Sequence, residues 1–198
     1  MPDASTRLVL ASTSATRRKL LHDAGLTFAV RPPRVDERVA THGITDPIII
    51  ARELAAAKAL AVSAREMDAW VIGSDQTLDC SGEVLHKPAD RAAASAQLAR
   101  LAAREHQLHT AVAVAYGGKV TWQRLASARL LMRSLTSAEI ERYLDRVGEA
   151  ALHSVGAYQV EGLGIQLFER IDGDWSAILG LPLLPLLAYL RGNGMVGL

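Results

Sequence analysis

Short apolar runs alternate along the chain with longer stretches that begin at helix-capping residues. Apolar runs of this length predict buried strands, and Ser14, Asp46-Pro47 and Thr136 are residue types that favour helix starts. The predicted strands cover residues 7–11, 27–31, 69–73, 108–116, 119–132 and 166–171. The predicted helices cover residues 14–25, 46–65, 90–103, 136–147 and 183–191. Because strands alternate with helices early and pair as a hairpin later, the pattern predicts a mixed α/β fold with ligands near strand ends.

The composition is that of an ordinary soluble protein, with 198 residues, 49% apolar and 22% charged residues and a net charge of +1. This length suits one large domain or one domain with two lobes. A generic nucleic-acid binder would show a strong basic excess, so we expect no nucleic-acid partner and only a local anion site.

The location is expected to be cytoplasmic, without membrane contact. Cys80 is the single cysteine and cannot form an intramolecular disulfide, which fits a reducing compartment. The polar residues 1–6 lack the layout of a signal peptide. The most apolar stretch, residues 178–190, contains two prolines and is too short to span a bilayer.

A segment with two hydroxyls and a guanidinium follows the first predicted strand, at Ser12, Ser14 and Arg17. It stands where a helix is predicted to begin, and the free N–H groups and dipole there favour an anion. Arg17 could bind two phosphate oxygens at once. An N-cap followed by a solvated basic turn explains the same residues, so the segment alone leaves both interpretations open.

Two acidic positions are candidates for metal binding or proton transfer. Asp75 closely follows a predicted buried strand, and Asp36-Glu37 lies in a predicted loop. Asp75 and Glu37 could share one Mg²⁺ or Mn²⁺, since these ions prefer oxygen ligands and bridge phosphates. Asp75 could also take a proton from water. A turn aspartate and an exposed loop glutamate are the alternatives.

Three further features could contact a nucleotide. Lys58, in an Ala-rich helix, and Lys87, before a proline, are point charges suited to phosphate, although each alone is typical of a surface lysine. Residues 156–164 are Gly-rich, and Tyr158 or Glu161 there could meet a base or sugar. A tight connection that needs positive φ explains the same glycines.

The order of these motifs resembles that of the Maf family of nucleotide pyrophosphatases, over residues 8–190. The motifs that carry the resemblance are Leu8-Val-Leu-Ala-Ser-Thr-Ser14, Arg17-Arg18, Asp36-Glu37, Lys58-Ala59, Gly73-Ser-Asp75, Lys87-Pro88, His109-Thr110-Ala111, Gly156-Ala-Tyr158, Glu161-Gly162 and Gly180-Leu-Pro182. Each motif is weak alone, but the ordered set is specific. The resemblance implies a single domain over residues 1–198, similar to inosine triphosphatases, with an elongated mixed sheet and two lobes around a central nucleotide-binding cleft.

The resemblance also implies a reaction, in which a nucleoside triphosphate is hydrolysed between its α- and β-phosphates with a divalent metal, Mg²⁺ or Mn²⁺. By this resemblance Asp75 is the catalytic base, and Glu37 is its partner at the metal or water. Ser12, Ser14 and Arg17 hold the phosphates, and Lys58 and Lys87 join them as catalytic cations. A homodimer is a further expectation from the family.

Substrate choice rests on positions at which two subgroups of the family differ, and here these include Thr16, Gln76 and Glu161. Asp75-Gln76 and Glu161-Gly162 resemble the subgroup that acts on 7-methyl-GTP, and a carboxylate suits its cationic base. Ala15-Thr16 matches neither subgroup, and Tyr158 resembles the subgroup that acts on dTTP and UTP. The prediction is a preference for modified bases such as 7-methyl-GTP, with dTTP/UTP hydrolysis as the alternative.

Two other functions compete with a pyrophosphatase. One is a non-catalytic nucleotide-binding regulator of septum formation, a role linked to the family. The presence of Glu37, Asp75, Lys58 and Lys87 argues against loss of chemistry. The other is a phosphatase that releases orthophosphate, which product analysis would distinguish.

Overall fold

The computed structural model describes residues 7–196, so the polar N-terminal residues 1–6 lie outside the described residues. The chain divides into two compact units, and their boundaries cut through several strands. The first unit takes residues 7–76, 110–126 and 174–196 of the described chain, and the second takes 77–109 and 127–173. The predicted single domain with a central cleft is not tested by this division and stays a prediction.

In the described part of the chain, seven strands form one mixed sheet in the order β2-β1-β3-β5-β6-β7, with β4 paired to β3. They are β1 (Arg7–Ala11), β2 (Ala29–Val30), β3 (Ala69–Cys80), β4 (Glu83–Leu85), β5 (Glu105–Tyr116), β6 (Lys119–Met132) and β7 (Phe168–Asp172). β1 is parallel to β2 and β3, whereas β4 and β7 run antiparallel to their partners. The predicted α/β fold with a mixed sheet is therefore confirmed.

Within residues 7–196, seven α-helices flank the sheet: α1 (Ala15–Asp23), α2 (Glu37–Ala40), α3 (Pro47–Ser63), α4 (Arg91–Leu101), α5 (Ser137–Val147), α6 (Trp175–Ile178) and α7 (Leu183–Gly192). The capping predictions hold, since Ser14, Asp46 and Thr136 each accept a backbone N–H at a helix start. In the described part of the chain, no helix combines the length and apolarity needed to cross a membrane.

Four predicted strands were wrong in extent, and one of them, predicted at 108–116, begins earlier, at Glu105. The strand predicted at 27–31 contains only two residues, because β2 pairs only with Val9 and Leu10 of β1. The strand predicted at 166–171 begins at Phe168, since Leu163–Leu167 form 3-10 turns. The strand predicted at 69–73 continues to Cys80, because β4 pairs with its far end through a tight turn at Ser81-Gly82.

Two short helices were not predicted. Asp36 and Glu37 do not lie in a loop, because Asp36 Oδ1 accepts the N–H groups of Arg38 and Val39 and so starts α2. Asp174 caps α6 in the same way, accepting the N–H of Ala177 at 2.8 Å.

The first unit has its core on both faces of the sheet. On one face, Ala51, Ala55 and Ala59 of α3 pack against the alanines of β5. Gly73 permits this close packing, because a Cβ there would stand 2.3 Å from the Ala55 carbonyl oxygen. On the other face, leucines of β1, α1 and α7 form a larger apolar cluster. Helix α3 therefore lies unusually close to β3 at this glycine.

The second unit has its own packing. Helix α4 lies against α5 and against the 3-10 turns at Gly148–His153 and Val155–Ala157. Inside it, Nε2 of His106 lies 2.8 Å from the hydroxyl of Tyr158, and both side chains are buried. Gly156 has φ +75°, and a Cβ there would stand 2.6 Å from the Tyr158 ring. The glycine-rich segment is therefore a tightly folded connection, as one interpretation of its sequence predicted.

Candidate functional site

A lysine lies between two carboxylates in the first unit. Nζ of Lys58 is 2.5 Å from Oδ1 of Asp75 and 2.7 Å from Oε1 of Glu37. The side chains of Lys58 and Asp75 are each only 12% exposed, whereas that of Glu37 is 56% exposed. These three residues, which we call the buried ion cluster, are candidates that the sequence placed far apart and the structure brings into contact.

The packing of α3 on β3 explains this contact. Gly73 and Asp75 are two residues apart on β3, so they share one face of the sheet. Gly73 admits the backbone of α3 at Ala55 and Ala59, next to Lys58. Asp75 therefore lies inside a strand, and not just past its end as predicted, because β3 continues for five residues beyond it.

Arg17 adds a second, partly buried positive charge close to this cluster. Its pKa is lowered by burial, while the charges of Asp75 and Glu37 oppose that shift, and a guanidinium stays charged. Nε of Arg17 donates to the carbonyl oxygen of Gly180 at 2.7 Å, which holds the planar group in place.

The two serines fold the turn between β1 and α1. The backbone N–H of Ser14 donates to Oγ of Ser12 at 3.1 Å, and Oγ of Ser14 accepts the N–H of Arg17 at 3.3 Å. Because Ala11 pairs with Gly73 in the parallel register, Ser12 follows β1 at the level of Ser74. Both serines have structural roles, and each hydroxyl can still donate its hydrogen.

Burial dominates the electrostatics of Asp75. It raises the pKa of the carboxyl group above its usual value, and the positive charges of Lys58 and Arg17 oppose the shift. A carboxylate whose pKa is raised is a better proton acceptor than an exposed one, provided that it is ionised at the working pH.

The predicted metal ligands fit an oxygen-preferring ion. One carboxylate oxygen of Asp75 and one of Glu37 contact Nζ of Lys58. Each residue has a second carboxylate oxygen, which could bind an ion. Among residues 7–196, no group of three or more His, Cys, Asp or Glu side chains could hold a metal. The protein would thus supply two carboxylates, a number typical of Mg²⁺ sites that substrate phosphates complete.

The remaining candidates are dispersed. Thr16 is partly buried in the first turn of α1, and Gln76 follows Asp75 on β3. Lys87 and Glu161 belong to the second unit, where Lys87 is exposed between β4 and α4 and Glu161 is exposed on a turn. Glu161 is close enough to Tyr143 for its charge to affect that phenol's pKa.

Sequence reasoning gave no role to Ser74, Thr110 or Gly180. Oγ of Ser74 lies 2.7 Å from the Ala111 carbonyl oxygen and 2.9 Å from that of Gly180. Thr110 donates to the Ala177 carbonyl oxygen at 2.9 Å. The available signal was a polar side chain inside an apolar strand, since buried polar groups need a hydrogen-bond partner.

Comparison with known proteins assigns the chain. The family model described as Maf-like protein matches residues 7–193. The chain belongs to the Maf-like family.

Several Maf-like relatives match over nearly their whole length. A protein of Nitrobacter winogradskyi named nucleoside triphosphate pyrophosphatase is 51% identical over 196 residues, covering 98% of this chain and 97% of the relative. A protein of Rhizobium johnstonii named 7-methyl-GTP pyrophosphatase is 50% identical, covering 96% of this chain and 98% of the relative. A 7-methyl-GTP pyrophosphatase of Brucella abortus is 49% identical, covering 94% and 96%. The resemblance expected from the motifs is confirmed.

Proposed function

We propose that this Maf-like protein is a nucleoside triphosphate pyrophosphatase, which hydrolyses the α–β phosphoanhydride and releases a nucleoside monophosphate and pyrophosphate. The observation that carries the proposal is the buried ion cluster of Lys58, Asp75 and Glu37, with Arg17 beside it. Its positive charges suit binding of a polyanionic triphosphate, and its carboxylates suit activation of a water molecule. Relatives at about 50% identity carry the name of this activity.

Asp75 acts as the general base in this proposal. The water oxygen forms a bond to phosphorus, the bond from that phosphorus to the bridging oxygen breaks, and Asp75 accepts the proton of the water. Lys58, 2.5 Å from Asp75, orients the carboxylate and holds a positive charge beside the reacting phosphates.

Arg17 binds phosphate oxygens in this scheme, together with the hydroxyls of Ser12 and Ser14. Arg17 is suited to this role because its Nε is anchored on Gly180 while its terminal nitrogens are not needed for that bond. Lys87, in the second unit, is the further cation that the family resemblance assigns to the phosphates, and this role stays a prediction.

Asp75 and Glu37 would hold a divalent ion, Mg²⁺ or Mn²⁺. When bound, such an ion neutralises charge on the phosphates and favours departure of pyrophosphate. Because Glu37 is half exposed on the short helix α2, its side chain can turn toward an ion more easily than that of Asp75. Chelation of divalent metal is expected to abolish turnover.

Base recognition is proposed for Thr16, Gln76 and Glu161. A carboxylate at Glu161 suits the cationic base of 7-methyl-GTP, and two of the relatives described above are named for that substrate. Hydrolysis of dTTP and UTP is the alternative. Changing Glu161 to Gln is expected to change the ranking of nucleotides by kcat/KM more than the rate on a poor substrate. An unchanged ranking would remove Glu161 from base recognition.

The proposal extends to where the protein acts and how it assembles. We propose a cytoplasmic enzyme that acts on free nucleotides and contacts neither nucleic acid nor membrane, and that forms a homodimer. Sedimentation of the purified chain tests the dimer, and a monomer across the assay concentrations would contradict it.

The deciding experiment is a product assay with Mg²⁺ or Mn²⁺. The substrates are the common nucleoside triphosphates and 7-methyl-GTP, with monophosphate, pyrophosphate and orthophosphate all quantified. Equal amounts of monophosphate and pyrophosphate are expected. Orthophosphate alone would indicate a phosphatase, and binding without turnover in the folded, metal-supplied protein would indicate a regulator.

A further inference from the structure

Two buried polar side chains of the second unit, those of His106 and Tyr158, have no role in the chemistry proposed above. His106 is on β5, and its Nε2 lies 2.8 Å from the hydroxyl of Tyr158. The two residues are only 2% and 5% exposed. Buried polar groups need a hydrogen-bond partner, and each of these side chains supplies one to the other. The hydroxyl of Tyr158 is thus used inside the protein.

An aromatic cluster fixes this pair on the sheet. The ring of Phe168, on β7, packs edge-on against that of Tyr158, with ring centroids 4.8 Å apart. The centroid of Phe168 is also 5.9 Å from that of His106. Because β5 and β7 belong to one sheet, two of its strands hold the Tyr158 ring. Tyr158 is therefore a fixed point for the backbone that follows it.

The backbone after Tyr158 folds at once into the turn that carries Glu161. The N–H of Gly162 donates to the carbonyl oxygen of Gln159 at 3.2 Å, which closes a turn over residues 159–162. Glu161 is the third residue of this turn and is exposed. We call residues 159–162 the Glu161 turn. Any displacement of Tyr158 would be passed directly to it.

A second tyrosine, Tyr143 of α5, holds the backbone on the other side of Tyr158. Its hydroxyl donates to the carbonyl oxygen of Ala157 at 3.3 Å. Burial raises the pKa of the Tyr143 phenol to about 12, and the negative charge of Glu161 raises it further, so the carboxylate lies near this phenol. The chain that leads into the Glu161 turn is thus anchored both on α5 and on the sheet.

We propose that His106 and Tyr158 are positioning residues for base recognition, because their hydrogen bond holds the Glu161 turn where its carboxylate meets the base. This rests on the proposed function, in which Glu161 contacts the base. Tyr158 is a position at which the sequence resembles the dTTP and UTP subgroup, and this role gives it an effect on substrate choice through Glu161. Loss of the pair should therefore change discrimination between nucleotides and leave phosphate binding intact.

The first test is Tyr158→Phe, which removes only the hydroxyl. Discrimination is measured as the ratio of kcat/KM between the best and the poorest nucleotide, with Mg²⁺ present. It should fall about fivefold, the usual effect of one hydrogen bond, and mostly through KM. Inorganic tripolyphosphate, a competitive inhibitor without a base, should inhibit the variant and the parent protein equally. Weaker tripolyphosphate inhibition with unchanged discrimination would place the pair in phosphate binding and overturn the proposal.

Two substitutions of His106 test whether the hydrogen bond itself matters. His106→Leu keeps an apolar side chain in the core and should lose as much discrimination as Tyr158→Phe. His106→Gln places an amide near the position of Nε2, and an amide can hydrogen-bond a hydroxyl, so it should retain most of the discrimination. Equal losses in the two His106 variants would mean that the hydrogen bond does not hold the turn, and the proposal would be wrong.

A matched control is Ser127→Ala. Oγ of Ser127 lies 2.8 Å from Nδ1 of His109, another buried histidine of β5 in the same unit. His109 is three residues from His106, so the two side chains point to opposite faces of the strand. Ser127→Ala should discriminate like the parent protein. A loss equal to that of Tyr158→Phe would show a general effect of loosening β5 and would contradict the positioning role.

Glu161→Gln tests whether the pair acts through Glu161. Adding Tyr158→Phe to Glu161→Gln should cause no further loss of discrimination, whereas independent, additive losses would overturn the proposal. If Glu161→Gln alone left discrimination unchanged, Glu161 would not read the base, and the pair would have no reader to position.

Amide hydrogen exchange of the unliganded protein gives a readout that needs no turnover. The N–H of Gly162 should exchange faster in Tyr158→Phe than in the parent protein, and no faster in Ser127→Ala, because only the first change loosens the Glu161 turn. Equal exchange in Tyr158→Phe and the parent would overturn the positioning role. A parent protein that hydrolyses no nucleotide would instead contradict the proposed function, so the two failures are distinguishable.

Discussion

Two clusters of side chains in this molecule each place one cation between two carboxylates. They differ in how far their side chains are exposed to solvent. In the first unit, Lys58 lies between Asp75 and Glu37, with Lys58 and Asp75 only 12% exposed. In the second unit, Nη2 of Arg91 lies 2.6 Å from Glu141 and 2.8 Å from Asp145, with all three side chains about half exposed or more. We call the latter the surface ion cluster.

The two clusters shift carboxyl pKa values in opposite directions. In the surface ion cluster, hydrogen bonds from Arg91 and Ser95 lower the pKa of Glu141. In the buried ion cluster, loss of hydration outweighs the attraction of Lys58, and the pKa of Asp75 is raised. The same contacts therefore produce an ordinary ion pair at the surface and a proton acceptor in the interior.

Asp75→Asn is expected to have the largest effect on activity. Asparagine keeps the shape but cannot accept the proton, so kcat should fall by about 10²- to 10⁴-fold, the usual contribution of a general base. Steady-state kinetics with metal present measures this. The matched change in the surface ion cluster, Glu141→Gln, should leave kcat unaltered. Near-normal turnover in Asp75→Asn would contradict the role of Asp75.

Lys58→Met should have the next largest effect, and here the readout is stability. Removing Lys58 leaves a buried carboxylate without its closest positive charge, which costs on the order of 3 kcal/mol in such pairs. Urea unfolding of the metal-free protein at neutral pH measures the free energy of unfolding. A urea midpoint equal to that of the parent protein would mean that the positive charge of Arg17 is enough to stabilise the buried carboxylate of Asp75.

The pH dependence of the two clusters should differ in sign. Because the folded pKa of Asp75 is raised, its contribution to stability is present below the unfolded value near 3.8 and is lost as pH rises through the folded pKa. Because the folded pKa of Glu141 is lowered, its contribution is present above the unfolded value near 4.5 and is lost as pH falls through the folded pKa.

Carboxyl NMR titration of the metal-free protein checks both directions. The Asp75 resonance should titrate above 3.8 and the Glu141 resonance below 4.5. If Asp75 titrated below its usual value, the attraction of Lys58 and Arg17 would exceed the cost of burial, and the contrast between the clusters would disappear.

The smallest effect is expected from Arg91→Met. Exposed ion pairs contribute little because water screens them. Neither the urea midpoint nor kcat/KM should change measurably. A clear loss of stability would show that the surface ion cluster is more than a screened contact and would weaken the comparison.

Local sequence signals predicted much of the fold correctly. Capping residues located three of the helix starts, at Ser14, Asp46 and Thr136. The Gly117-Gly118 pair located the turn of the predicted hairpin between β5 and β6, because glycine accepts positive φ without strain. These features depend on a few neighbouring residues, which is the range over which sequence patterns carry information.

The errors came from pairing between distant segments. The continuation of β3 through Asp75 depends on pairing with β4, which follows β3 in the chain. The run of apolar residues that predicted the strand ends before Ser74, so the sequence pattern did not extend it. The contact of Lys58 with Asp75 depends on the missing Cβ of Gly73, which lets α3 approach. The hydrogen bonds of Gln76 to the carbonyl oxygens of Ala177 and Ile178 join residues about 100 positions apart, so no local pattern predicts them.

The division of the chain has a consequence for how this protein can be cut and recombined. The boundary between the two units is crossed after Gln76, His109, Ala126 and Gly173, and the first three crossings fall inside β3, β5 and β6. Neither unit is a continuous stretch of sequence, so no single protease cut or gene truncation can release one of them whole. Recombination by swapping of gene segments is restricted in the same way, since a crossover at any one point cannot exchange either unit whole.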